Sequence, residues 1–216
     1  MISQMTHQIN KIDRSERKIK IEIDGVYHLF LYSRDFKKQR LNMLEEGYEL
    51  SDDELSVLDK HVIERGKKRI MFLLGRQDYP KKQLQDKLLR EGYIIEHVDE
   101  ILQPFLEKAI INDAQLISRR ISGYKTYKSR LEIQMNLQKK GFAKDDVKAL
   151  IQENMTWEDE LASATHLLNK KFFLKQFKMD EMTLKQKALG FLSRKGYSMD
   201  ICIKAYESFY ETISKT

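Results

Sequence analysis

Residues able to do chemistry are few in this chain, and they do not gather. The five histidines are His7, His28, His61, His97 and His166. His61 with Glu64, and His97 with Glu100, stand three residues apart. That spacing puts an imidazole and a carboxylate on one helical face, as a metal site needs. Two isolated pairs make no site, and solvated helix faces account for them. Asp52-Asp53 has the paired carboxylates of metal-assisted phosphoryl chemistry. The surrounding Ser51-Asp52-Asp53-Glu54, however, reads as a capping box that opens a helix. There is no phosphate loop, dinucleotide fingerprint or Gly-x-Ser-x-Gly elbow. Cys202, the single cysteine, lies on an apolar stripe and reads as a core residue, which fits a reducing cytosol. The expectation is a non-enzymatic chain with no metal and no cofactor.

Charge is the stronger signal. The net charge is +6, with −2 carried by residues 1–65 and +8 by residues 66–216. From Arg119 to Lys140, seven bases (Arg119, Arg120, Lys125, Lys128, Arg130, Lys139 and Lys140) face Glu132 alone. Tyr124 and Tyr127 interleave with them, a pattern suited to base stacking over a phosphate-tracking groove. A patch of this kind attracts nucleic acid or an acidic protein surface; a solvated helix face is the plainer reading. A second cluster runs from Lys170 to Lys178 with Phe172, Phe173 and Phe177, whose helical spacing favours core packing. Lys81, Arg90, Lys171, Lys175 and Arg194 are the secondary basic candidates.

The elements that position these bases repeat. Leu88-Leu89-Arg90-Glu91-Gly92-Tyr93, Leu137-Gln138-Lys139-Lys140-Gly141-Phe142 and Leu192-Ser193-Arg194-Lys195-Gly196-Tyr197 are one cassette in three copies, their glycines 49 and 55 residues apart. Each copy has an acid four residues past the glycine (Glu96, Asp145, Asp200) and a base eleven before it (Lys81, Arg130, Lys185). Self-similarity of this kind marks a repeat architecture. Each cassette reads as a helix end closed by a left-handed glycine. The aromatic packs back, and the acid falls in the first turn of the next helix. Val98, Ile101, Leu102, Phe105 and Leu106 mark that next helix in the first copy.

Before the repeats, Lys18 to Asp24 alternates as a half-buried strand, and Asp24-Gly25 turns it into a β-hairpin, with a third short strand around Ile9 to Ile12. A short helix is expected from Phe36 to Leu44, and a long one from Asp52 to about Leu74. Pro80 suits the first position of the following helix, and Ser122-Gly123 reads as a break after which a basic helix runs to Lys140. The fold class is mainly α: three tandem three-helix units in an elongated, curved solenoid, preceded by a β-hairpin and helix. Residues 1–50 form that extension. Residues 51–112 hold the long helix and repeat 1, residues 113–155 repeat 2 and residues 156–216 repeat 3. No apolar run approaches the roughly 18 residues of a membrane span, and no signal-peptide core opens the chain.

The triple cassette resembles the bacterial RecX family of recombination regulators. Tyr79-Pro80-Lys81-Lys82-Gln83-Leu84 is similar to the family's opening of the second helix of repeat 1. Ile110-Ile111-Asn112-Asp113 resembles its join between repeats, although Ala109-Ile110 replaces the usual Gly-Tyr. The resemblance covers about residues 8–210. It implies a cytoplasmic, non-catalytic modulator that binds RecA or the RecA–single-stranded-DNA filament and inhibits its recombinase, ATPase and coprotease activities in repair and the SOS response. The expected form is a monomer with no membrane contact. The alternative is a stand-alone DNA-binding protein with tandem helix-turn-helix-like units.

Overall fold

The structure, a computed structural model, describes residues 6–16, 18–25, 27–33, 44–174 and 179–214. The chain divides into two compact units, Met1–Ile111 and Asn112–Thr216.

In the first unit, β1 (Thr6–Arg14), β2 (Lys18–Ile23), β3 (Tyr27–Tyr32) and β4 (Glu49–Ser51) form an antiparallel sheet in the order β3-β2-β1-β4. The alternation of β2 buries Ile19, Ile21 and Ile23 on one face, opposite Leu31, Leu29 and Ile9 in the register. Asp24 and Gly25 both take positive φ, as a tight hairpin turn demands. The expected hairpin is thus part of a four-stranded sheet. Its fourth strand escapes a sequence reading because three residues carry no period, and Glu49 pairs with Gln8 across a long separation. The helix expected from Phe36 to Leu44 lies, up to residue 43, outside the described residues. Gly47 takes φ 86° and donates its N–H to Ile9 O, so Glu46-Gly47-Tyr48, which shares the Gly-aromatic pair of the cassettes, feeds the sheet and not a helix end.

Helix α1 (Asp52–Leu74) opens with the full capping box: Ser51 accepts from Glu54 N, and the Glu54 carboxylate accepts from Ser51 N at 2.8 Å. It packs on the sheet and on α3 (Ile95–Glu107), with α2 (Lys81–Glu91) between them in sequence. Pro80 precedes α2 as its cap and not as its first residue. Gly66 lies where α1 meets α3. A Cβ there would stand 2.2 Å from Ile101 Cδ1, so any side chain at this position would force the Ile101 side chain to move. Ile9, Ile21 and Leu29 share one core with Leu58, Val62, Leu88 and Ile101.

The second unit holds α4 (Asp113–Tyr124), α5 (Arg130–Lys139) and α6 (Lys144–Asn154), then α7 (Trp157–Phe172), α8 (Glu181–Arg194) and α9 (Met199–Ser214). Helix α4 runs straight through Ser122-Gly123, where a break was expected. Ser122 Oγ bonds the carbonyl of Ser118 one turn back, and the chain leaves the helix only after Tyr124. The basic stretch is therefore the end of one helix, a short loop and a second helix.

The three cassettes close their helices in the same way. Gly92, Gly141 and Gly196 take φ of 106°, 85° and 83°, and the next residue donates its N–H back to the cassette leucine: Tyr93 to Leu88 O, Phe142 to Leu137 O, Tyr197 to Leu192 O, all between 3.1 and 3.3 Å. This is the six-to-one closure of a Schellman end, with the aromatic buried against the leucine it caps. Each fully buried leucine contributes about 1.5–3 kcal/mol. Glu96, Asp145 and Asp200 fall in the first turns of α3, α6 and α9.

Candidate partner-binding surface

Among the described residues, the catalytic candidates assemble into no nucleophilic or metal-holding cluster, although His7 lies between Asp24 at 2.7 Å and Asp52 at 3.0 Å. His97 is buried and shares a hydrogen bond of 3.0 Å with Asp59. Glu64 pairs with Lys67 at 2.8 Å. Cys202 is buried, and burial pushes its thiol pKa up. Among the described residues, no group of three or more His, Cys, Asp or Glu side chains could hold a metal ion.

The seven bases of repeat 2 divide by what they touch. Lys125 meets Asp159 at 3.1 Å. Asp159 also accepts from Thr156 N in the capping box of α7, and these two donors, Thr156 first, hold its carboxyl below the usual range. Lys128 pairs with Glu132 at 3.1 Å and lies over the rings of Tyr124 and Tyr127. Arg130 Nε reaches Glu160 at 2.9 Å, its backbone N–H donates to the same carboxylate at 3.2 Å, and its guanidinium also donates to Met155 O. Glu160 is only 8% exposed, which makes this the most enclosed ion pair of the group. Lys140 donates to the Tyr124 hydroxyl at 3.4 Å. Burial alone would raise that phenol, but donation from Lys140 and Arg120 outweighs it and its pKa is lowered. Arg120 is half-buried; Arg119 and Lys139 stand exposed on the surface of repeat 2.

Lys125, Lys128 and Arg130 thus sit where repeat 2 meets repeat 3. The seam is reinforced by groups that sequence reasoning missed. Ser129 caps α5 by accepting from Glu132 N at 3.1 Å and donates its own hydroxyl to Lys195 O at 2.7 Å, across to the cassette of repeat 3. Ser163 and Tyr197 share a hydroxyl–hydroxyl bond of 2.7 Å, and burial pushes the Tyr197 phenol up to about 12. The only advance signal was the acidic run Glu158-Asp159-Glu160, which reads on its own as an ordinary first turn.

The secondary candidates are dispersed. Lys81 starts α2 and Arg90 ends it, both in the first unit. Lys171 and Arg194 do come together. With Lys187 they border a cleft of about 470 Å³ over Phe172, Met179 and Gly190. The Lys171 ammonium stands 3.6 Å above the ring of Phe191. Lys175 lies outside the described residues.

With this geometry in hand, the chain can be set beside known proteins. The family model described as RecX, third three-helix domain, matches residues 158–205, which are α7, α8 and the first half of α9. The regulatory protein RecX of Clostridium perfringens (strain SM101 / Type A) is 30% identical over 123 residues, and that of Trichlorobacter lovleyi is 25% identical over 139 residues. Together these matches support a RecX family protein. The alignment covers 56% of this chain and 58% of the Clostridium protein, against 62% and 89% for the Trichlorobacter one. Two solved structures share the fold. A crystal structure of regulatory protein RecX superposes with a TM-score of 0.60 at 21% identity, over 95% of this chain and 99% of that one. RecX from Lactobacillus salivarius gives 0.63 at 20% identity, over 68% and 96%. No helix among the described residues is long and apolar enough to cross a membrane.

Proposed function

We propose that this protein regulates RecA: it binds RecA assembled on single-stranded DNA and inhibits the filament's recombinase, ATPase and coprotease activities. It acts in the cytoplasm as a monomer, by binding alone and without catalysis or a cofactor. The likeness to RecX proteins carries this reading, supported by the cassette present in all three repeats. A tandem-repeat protein offers many modest contacts whose energies add along a polymer, and a filament is a partner of that kind. The bases best placed to meet acidic filament surface or DNA are the exposed Arg119 and Lys139 of repeat 2, with Lys171 and Arg194 around the cleft of repeat 3. Lys125, Lys128 and Arg130 contribute from the seam, where their charge is shared with Asp159, Glu132 and Glu160.

The test is a titration into RecA on single-stranded DNA while ATP hydrolysis is followed, beside a DNA-binding titration without RecA. Loss of hydrolysis at protein levels too low to coat the free DNA supports regulation at the filament. Reversing Arg119 and Lys139 to glutamate should then weaken inhibition and reduce its salt dependence. Unchanged hydrolysis alongside tight, salt-sensitive DNA binding would replace this reading with the tandem DNA-binding module.

A further inference from the structure

We propose that the groove between α5 and the end of α8 takes an acidic protein segment whose apolar side chain covers Leu131 and Met135. The groove has a volume of about 480 Å³ and lies along the seam of repeats 2 and 3, within the second unit. Leu131, Met135 and Lys139 stand four residues apart, so they share one face of α5 over about 12 Å. Leu131 and Met135 are 50% and 49% exposed, and Phe191 lines the groove from α8. Leu131 rests on the cassette of repeat 3: a Cβ on Gly196 would stand 2.9 Å from its Cδ2. The Ser129 hydroxyl ties the start of α5 to Lys195 O at 2.7 Å, so both walls are set before a partner arrives.

The charge around this apolar floor is uneven. Arg194 and Lys195 line the groove, and Lys139 ends the same face of α5. Glu132, the acid among the described lining residues, is already shared, with Lys128 at 3.1 Å and with Lys195 at 3.7 Å. Among the described residues, neither Lys139 nor Arg194 pairs with an acid. A segment with carboxylates beside a leucine-sized residue answers both features. Its apolar side chain takes Leu131 and Met135 out of water, and its acids meet the two cations. The unbranched Met135 side chain can adapt to the shape of such an insert. Nucleic acid fits less well. Phosphates would answer the cations but gain nothing from Leu131 and Met135, and the Phe191 ring already carries the Lys171 ammonium at 3.6 Å. A basic segment would meet like charge. The segment is assigned to RecA, so the groove rests on the filament reading and narrows it: contact here is with protein, not with DNA.

The test follows ATP hydrolysis by RecA on single-stranded DNA with the full chain and its variants, beside binding of a labelled oligothymidylate without RecA. Met135→Ser changes no charge. It should raise the concentration for half-inhibition about tenfold and leave oligothymidylate binding unchanged. Met135→Glu should weaken inhibition more than Met135→Lys, because it sets a carboxylate against those of the partner. Met135 is half exposed, and circular dichroism checks that each variant folds. Wild-type inhibition that Met135→Ser leaves unchanged would overturn the groove and spare the filament reading. So would weaker inhibition by Met135→Lys than by Met135→Glu, since the segment would then be basic. A parallel loss of oligothymidylate binding in Met135→Ser would give the groove to nucleic acid. A wild-type protein with no effect on hydrolysis would remove the filament reading and this partner together.

Discussion

Replacing Glu160 by glutamine asks whether the seam between repeats 2 and 3 depends on its most enclosed charge. The carboxylate accepts from Arg130 Nε at 2.9 Å and from the Arg130 backbone N–H at 3.2 Å. Breaking a fully buried pair costs about 3–5 kcal/mol, mostly because a charge is left uncompensated. Here the Arg130 side chain is 34% exposed, so water recovers part of its charge, and glutamine still offers one acceptor oxygen. The expected loss is about 2 kcal/mol. For a unit the size of Asn112–Thr216, that lowers the melting temperature by about 8 °C, at roughly 4 °C per kcal/mol. Trp157 is the single tryptophan and the first residue of α7, so its fluorescence follows the start of that helix while circular dichroism reports the helices as a whole. Combining the change with Arg130→Gln should cost less than the two single changes summed, with a coupling of about 1–2 kcal/mol. A Glu160→Gln protein that melts with wild type, or a double variant that is simply additive, would show that the pair does not hold the seam.

The same cassette position should respond in opposite senses in two repeats. The buried Tyr93 hydroxyl has no hydrogen-bond partner among the described residues, whereas Tyr197 shares its hydroxyl with Ser163. Tyr93→Phe should therefore be neutral or stabilising and Tyr197→Phe should cost about 1 kcal/mol, both measured by urea unfolding; equal effects would discredit the argument. His7 lies between Asp24 at 2.7 Å and Asp52 at 3.0 Å, and these hydrogen bonds, Asp24 first, raise its pKa above 6.5. A raised folded value means that the stabilisation is complete below pH 6.5 and fades as the pH climbs through the folded pKa. The urea midpoint should accordingly fall as the pH rises above 6.5, and fall less in His7→Gln; an identical fall in both proteins would exclude His7 as the cause.

Much of the fold was legible because its determinants are local. The capping box at Ser51 and Glu54 sets the start of α1, and each cassette carries within six residues everything its Schellman closure needs. What escaped is non-local. Strand β4 exists because Glu49 finds Gln8, and nothing in a three-residue segment announces that pairing. Ser122-Gly123 has the composition of a turn, yet Ser122 bonds back into α4 and the helix continues. For the basic patch, charge could be counted but not its neutralisation. Glu160 lies 30 residues from Arg130, so the acids facing Lys125 and Arg130 belong to the next repeat.

The Ser129 hydroxyl also constrains how the chain is made. Its acceptor, Lys195 O, is 66 residues downstream. At about 5–20 residues per second on the ribosome, roughly 3–13 s pass before that carbonyl is synthesised. The first unit has its own residues once Ile111 is added, whereas α5 can form and cap itself through Glu132 while its seam still faces water. Arg130 waits for Glu160, and Ser129 waits longer. Repeat 2 is therefore born exposed, and any slowing of translation between residues 140 and 195 prolongs the time during which its polar seam is open to the wrong neighbour.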